Sequence, residues 1–216
     1  MRLPRSGLIP TAFQGCVHVH FPFNHRYQCK TNAIPLTQDV DIVVTPDDYQ
    51  QLDPEEIKKS IVSADDRYFL KASGRPGATY RVLYCRLPGW RTERRRVKVD
   101  ILVPPTPNLG IPRVLSHDAF VINGIPVMPL FDLLVLKMQG RRDHSASRRP
   151  DFRAKVPGDI SDVRALLDQA MVEEVSYRTE RRRHTRNFMK RARKLALGFI
   201  EIYGELPKFR ALGFPV

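Results

Sequence analysis

Two apolar runs that carry carboxylates on a period of two constrain this chain more than any other feature. The first is Thr37-Gln38-Asp39-Val40-Asp41-Ile42-Val43-Val44, and the second is Val97-Lys98-Val99-Asp100-Ile101-Leu102-Val103. Side chains alternate faces along a strand, so Asp39 and Asp41 share one face while Val40 and Ile42 share the other. In the second run Val97, Val99, Ile101 and Val103 share a face, which leaves Asp100 opposite them, beside Lys98. If the two strands are neighbours, three carboxylates converge. Mg²⁺ favours such an oxygen site, completed by waters and substrate phosphates. The alternative is that each Asp merely ends or caps a strand. A third Asp in a matching strand favours the metal site, because buried charges are normally paired or metal-bound.

The charge balance points to an anionic partner. Lys and Arg total 36 against 23 Asp and Glu, a formal net charge of +13, which suits nucleic acid or nucleotide ahead of a membrane surface. At 216 residues, 42% of them hydrophobic, the chain can bury a real core. No stretch approaches the ~18 apolar residues of a membrane span; the best run is Leu133 to Leu136. Three cysteines, Cys16, Cys29 and Cys85, fit a reducing compartment and not a disulfide framework. A cytoplasmic or nuclear location is therefore expected. The first 38 residues lack Asp and Glu and carry Arg2, Arg5, Arg26 and Lys30, which loosely resembles a mitochondrial transit peptide. Pro4, Pro10 and Pro22 would interrupt its amphipathic helix.

Periodicity and turn chemistry predict an α+β fold: a small mixed sheet with flanking helices, then a helical C-terminal third. Residues 1–36 read as an irregular segment, 37–128 as an α/β core and 129–216 as a helical region. Strands are predicted at 39–44, 68–72, 79–86 and 97–103, with Gly74-Arg75-Pro76-Gly77 turning the middle pair into a hairpin. A helix is predicted over 46–51, with Thr45 as N-cap and Pro46 at its first position. A second opens at Asp53-Pro54-Glu55-Glu56 and carries Ile57 to Val62. A short extended stretch at 125–128 precedes a helix over 129–139. Then come a basic loop over 141–158, a helix over 159–170, and one long basic helix from 172 or 176 to about 203.

A strand Asp-x-Asp followed by a helix, with a third Asp on a later strand, resembles the catalytic core of the nucleotidyltransferase superfamily, the fold of DNA polymerase β. The resemblance implies that Asp39 and Asp41 are metal ligands for two Mg²⁺ ions, and that Asp100 is the shared ligand or general base. Pro129-Leu130-Phe131-Asp132-Leu133-Leu134-Val135-Leu136-Lys137 and Asp159-Ile160-Ser161-Asp162-Val163-Arg164-Ala165-Leu166-Leu167 look like the helical half of minimal and AbiEii-type members. The likeness extends to a group of fungal proteins of this fold. It implies that Lys137 meets the triphosphate of an NTP and that Asp162 orients it. The alternative is a solvated Lys137 and an N-capping Asp159 on an amphipathic helix.

The chain departs from this pattern at one point. The superfamily places Gly-Gly or Gly-Ser some ten residues before the first Asp, so that backbone amides can approach the phosphates. Here no glycine occurs between Gly15 and Gly74, and the window holds Asn24-His25-Arg26-Tyr27-Gln28-Cys29. Three explanations are open: an inactive enzyme, a phosphate contact made by Arg26 or Lys30, or a displaced N-terminal exon. The formless character of residues 1–36 points to the third.

The other candidates carry less chemistry. Cys16, His18, His20, His25 and Cys29 match no usual zinc spacing, so zinc is not expected. His117, His144 and His184 read as isolated surface residues. Arg181, Arg182, Arg183, Arg186, Lys190 and Arg191 form a basic stretch suited to a nucleic-acid backbone or a nuclear-import signal. Arg141, Arg142, Arg148, Arg149, Arg153 and Lys155 add to its field. Tyr177, Phe188 and Phe199 interleave it poorly, so base stacking is not indicated there. The expected activity is Mg²⁺-dependent transfer of a nucleoside monophosphate from an NTP to an acceptor hydroxyl. RNA, especially a tRNA end, is the suggested acceptor; a protein or small molecule is the alternative. The competing expectation is an inactive nucleotidyltransferase fold that binds nucleic acid.

Overall fold

A computed structural model describes residues 15–20, 39–46, 53–87, 96–104, 110–112, 114, 118–122 and 125–216. Within strands, the side chains of residues 15–20 and of Asp39, Thr45, Pro46, Ile122 and Ile125 lie outside the described set. The chain divides into two compact units. The first contains the main sheet and continues to Val127; the second contains residues 110–112 and everything from Met128 onward.

Strand alternation builds the first unit. Its sheet has five strands in the order β1-β2-β5-β4-β3: β1 Gly15–His20, β2 Asp39–Pro46, β3 Tyr68–Ala72, β4 Arg81–Arg86 and β5 Arg96–Leu102. β2 runs parallel to β5, and the other three pairings are antiparallel. In β5, Val97, Val99 and Ile101 are buried while the residues between them are half-buried. Val99 and Ile101 join Val44, Leu83 and Ile57 in one apolar cluster. Ile57 comes from α1, Pro54–Ala64, which packs near β3 and β5. Asp53 caps that helix, accepting the Glu55 N–H at 2.9 Å, and Pro54 supplies the favoured first-turn geometry. A separate two-stranded ribbon pairs β6 Phe120–Ile122 with β7 Ile125–Val127.

Two expectations for this unit need correction. Residues 15–20 are not irregular: they form β1, antiparallel to β2, and their alternating Val17 and Val19 carry the period-two signal. Thr45 and Pro46 belong to β2 and do not open a helix at that point. The remainder of the helix expected over 46–51 lies outside the described residues, as does the glycine-turn window.

The second unit is helical: α2 Leu130–Ala146, α3 Pro150–Arg153, α4 Val156–Val172, α5 Tyr177–Glu180, α6 Arg186–Tyr203 and α7 Leu206–Ala211. α6 buries Phe188, Ala192, Leu195, Ala196 and Phe199, one stripe at helical spacing. Phe131, Leu134 and Met138 of α2 and Val163, Leu166 and Leu167 of α4 are almost fully buried.

Here tertiary contacts override local composition. The basic segment after residue 141 is not a loop, because α2 continues to Ala146. Arg141 is only 4% exposed, its guanidinium 5.7 Å from the Phe199 ring centroid and 5.1 Å from that of Tyr203. Arg141 is therefore not placed to contact a ligand at the surface. The long final helix is also broken. Glu174 takes a left-handed conformation (φ 52°), Ser176 caps α5, and residues 181–184 turn before Thr185 caps α6 through the Phe188 N–H at 3.3 Å.

Candidate functional site

The parallel pairing of β2 with β5 sets the geometry of the carboxylates. Asp41 lies in register with Asp100, and residue 39 with Lys98. Adjacent strands are about 4.8 Å apart, so Asp41 and Asp100 project side by side from one face. Val40, Val99, Ile42 and Ile101 occupy the other face at matching register positions. Asp100 is 35% exposed and its side chain is ion-paired with Lys98, which is 37% exposed. The side chain of Asp39 is outside the described set, although its backbone position is two residues along β2 from Asp41.

The donors suit Mg²⁺. Hard carboxylate oxygens from one or two side chains, completed by water and phosphate, make up its usual protein contribution. Asp41 and Asp100 supply two such carboxylates. Among the described side chains no group of three His, Cys, Asp or Glu is gathered to hold a metal.

The second unit brings together the two residues that the resemblance assigns to nucleotide. Lys137 Nζ donates to Asp162 Oδ2 at 2.8 Å, with both side chains about six-sevenths buried (16% and 15% exposed). Asp159 is not the N-cap of α4. That position is Lys155, and Asp159 pairs with His144 Nδ1 at 2.6 Å while the imidazole stacks on Phe152. His144 is thus a half-buried partner of α4 and not an isolated surface residue.

The basic stretch disperses. Arg181 and Arg182 are exposed on the turn between α5 and α6, and Arg186 and Lys190 are exposed on α6. Arg183 donates to Glu180 at 3.1 Å. Arg191 lies against the backbone of Gly110, whose φ of +58° is one that glycine adopts most easily. Phe188 and Phe199 are turned into the core.

His184 is the clearest departure from the sequence reading. Its side chain is 6% exposed, with Nε2 3.2 Å from Asp132 Oδ1 and 3.3 Å from Glu180 Oε2. The imidazole lies against Phe131 and Phe188. Burial pushes the Glu180 carboxyl up, but His184 and Arg183 pull it down further, leaving it below its ordinary range. A lone Asp132 inside the apolar run 130–136 was the available signal for this cluster.

No family model matches the chain, and no curated protein matches it by sequence. Among solved structures it is similar to the crystal structure of an antigenic nucleotidyltransferase-like protein from Paracoccidioides brasiliensis. The identity is 15% and the TM-score 0.51, over 83% of this chain and 76% of that one. Among the described residues no helix is long and apolar enough to cross a membrane. The chain has a nucleotidyltransferase-like fold.

Proposed function

We propose that this protein is a Mg²⁺-dependent nucleotidyltransferase that moves a nucleoside monophosphate from an NTP to an acceptor hydroxyl, with RNA as the acceptor. The observation carrying this reading is the register of Asp41 with Asp100 on parallel strands, two residues from position 39, within this fold. The acceptor oxygen attacks the α-phosphorus, the bond to the bridging oxygen breaks, and pyrophosphate leaves. Bound Mg²⁺ supplies charge neutralisation at the attacking and leaving oxygens. Asp39, Asp41 and Asp100 would hold the ion, and Asp100 would accept the acceptor proton. An RNA acceptor fits a cytoplasmic or nuclear site of action.

Labelled-NTP transfer tests the reading. Wild type should transfer label in Mg²⁺, and Asp41→Ala should lower the rate at least about a hundredfold, the scale on which losing one transition-state electrostatic contact acts. Transfer that survives the substitution refutes it.

The second reading is a catalytically inactive fold that binds nucleic acid through Arg181, Arg182, Arg186 and Lys190. The absence of glycine between Gly15 and Gly74 favours it, because the usual phosphate-binding turn needs one. No transfer with any of the four NTPs, together with RNA binding that is lost in Arg181→Ala/Arg182→Ala, would establish this alternative.

A further inference from the structure

The carboxylate face of the sheet does not end at Asp100. In register, Tyr84 of β4 opposes Lys98 of β5, Arg86 opposes Arg96, and Phe69 of β3 opposes Tyr84. Residues two apart on a strand share a face. Phe69, Tyr84, Arg86, Arg96 and Lys98 therefore stand on the same side as Asp41 and Asp100, while Leu70, Leu83, Cys85 and Val99 turn to the apolar cluster beneath.

The Phe69 and Tyr84 rings stack with centroids 5.6 Å apart and planes 22° from parallel. The Arg86 guanidinium lies 4.6 Å from the Phe69 centroid, and that of Arg96 lies 4.9 Å from the Tyr84 centroid. Phe69, Tyr84, Arg86 and Arg96 are all half-buried, and Lys71, also on this face, is exposed. Two rings and two guanidiniums in one stack present planar surfaces, and nucleobases stack on both kinds of plane. Arg86 and Arg96 sit directly opposite one another, so both guanidiniums of the stack come from one register position, and a guanidinium is a strong donor to phosphate. Arg86 is held in place as its Nη1 donates to the Asp66 carbonyl at 2.5 Å.

We infer that Phe69, Tyr84, Arg86 and Arg96 form a platform for the end of a single-stranded nucleic acid, continuous with the carboxylates. Placing the terminal hydroxyl at Asp41 and Asp100 rests on the function proposed above; the binding surface itself does not. Strand spacing and rise put the Tyr84 and Asp41 positions roughly 12 Å apart. That distance is about three to four stacked nucleotides at ~3.4 Å each. A hydroxyl at the carboxylates thus leaves the preceding bases over the rings and their phosphates near the arginines. The platform lies outside the basic stretch at 181–191, and its stacking geometry selects unpaired bases over a duplex.

The test uses the full chain in EDTA without NTP, so that binding is read apart from catalysis. A fluorescent 12-nucleotide single strand, as RNA and as DNA, is titrated by anisotropy beside the corresponding duplex. A 4-thiouridine-substituted RNA is crosslinked and the attached peptides are identified by mass spectrometry. The expected result is single-strand binding that weakens with salt, with crosslinks in 68–72 or 81–86. Affinity should fall about tenfold to a hundredfold in Tyr84→Ala and be retained in Tyr84→Phe. Arg96→Gln gives a second variant should Tyr84→Ala fail to fold. Unchanged affinity in folded Tyr84→Ala or Arg96→Gln, crosslinks confined to 177–203, preference for duplex, or no nucleic-acid binding would each overturn the inference. Platform binding without nucleotide transfer would refute the catalytic reading and leave the platform standing. Transfer without platform binding would do the reverse.

Discussion

Replacing Lys98 by Met tests the electrostatics of the carboxylate face most directly. Asp41 and Asp100 sit in register on adjacent strands, with carboxylates about 5 Å apart by strand spacing. Two unit charges at that distance repel by about 0.8 kcal/mol in a water-like dielectric and about 3 kcal/mol at an effective dielectric near 20. Lys98 and Asp100 are about one-third exposed, which places the repulsion in the lower part of that interval, about 1–2 kcal/mol. The Lys98 ammonium offsets it. Methionine keeps the length and apolar stem of lysine and removes only the charge.

In EDTA at low salt, Lys98→Met should therefore lower the local stability of β2 and β5 by about 1–2 kcal/mol, and high salt should shrink the difference. Mg²⁺ should reverse the order of response. A ligand at ten times its Kd stabilises by about 1.4 kcal/mol, and the variant, with no competing ammonium on Asp100, should bind the ion more tightly than wild type. Hydrogen exchange of peptides covering 39–46 and 96–102 reads this unit separately from the helices. If Lys98→Met protects those amides as well as wild type in EDTA, and Mg²⁺ leaves both proteins unchanged, the reasoning fails.

Two further predictions concern the helical unit. His184→Ala removes the imidazole between Asp132 and Glu180 and should cost about 1–3 kcal/mol in urea unfolding, the range for a lost buried polar contact. Because the folded Glu180 carboxyl sits below its unfolded value of about 4.3, its contribution is present above that pH and is lost as pH falls through the lower folded value. Glu180→Gln should accordingly show a flatter stability profile than wild type below about pH 4.3, and parallel profiles would contradict this assignment. Gly110→Ala places a methyl group 1.1 Å from Arg191 Nη1 at a positive φ, so the guanidinium must swing away. A loss of about 1 kcal/mol is expected from the backbone alone. Any excess should vanish in the Arg191→Ala background of a double-mutant cycle.

Much of the sheet was legible because strand parity is a local signal. The expected strand at 68–72 matches β3 residue for residue, and that at 97–103 is displaced by one from β5 Arg96–Leu102. The pairing of β2 with β5 could only be conditional in the sequence, since register depends on which strands meet. Helix ends were less legible, for reasons that can be named. The last turns of α2 are polar and basic, yet Arg141 lies against Phe199 and Tyr203, far along the chain on and at the end of α6. His184 reads as surface within Arg181-Arg182-Arg183-His184, and only the folded chain supplies Asp132 and the rings of Phe131 and Phe188. The stack of Phe69 on Tyr84 is not legible in the sequence, because the two rings meet only through the pairing of β3 with β4.

Fold and chemistry are specified by opposite faces of the same strands. Val99, Ile101, Val44, Leu83 and Ile57 bury one face, and that burial holds the sheet whatever stands on the other. Slipping β2 by one residue against β5 would drive Asp41 into the apolar cluster, so the core fixes the register that sets Asp41 beside Asp100. Nothing in the core needs those carboxylates. Side by side on one face their like charges repel, and Lys98 offsets that repulsion. Groups that work against stability at positions fixed by a well-packed opposite face are the expected mark of a functional site. Their oxygens are of the hard type that a divalent cation takes. The lack of glycine between Gly15 and Gly74, by contrast, bears on how a phosphate is held.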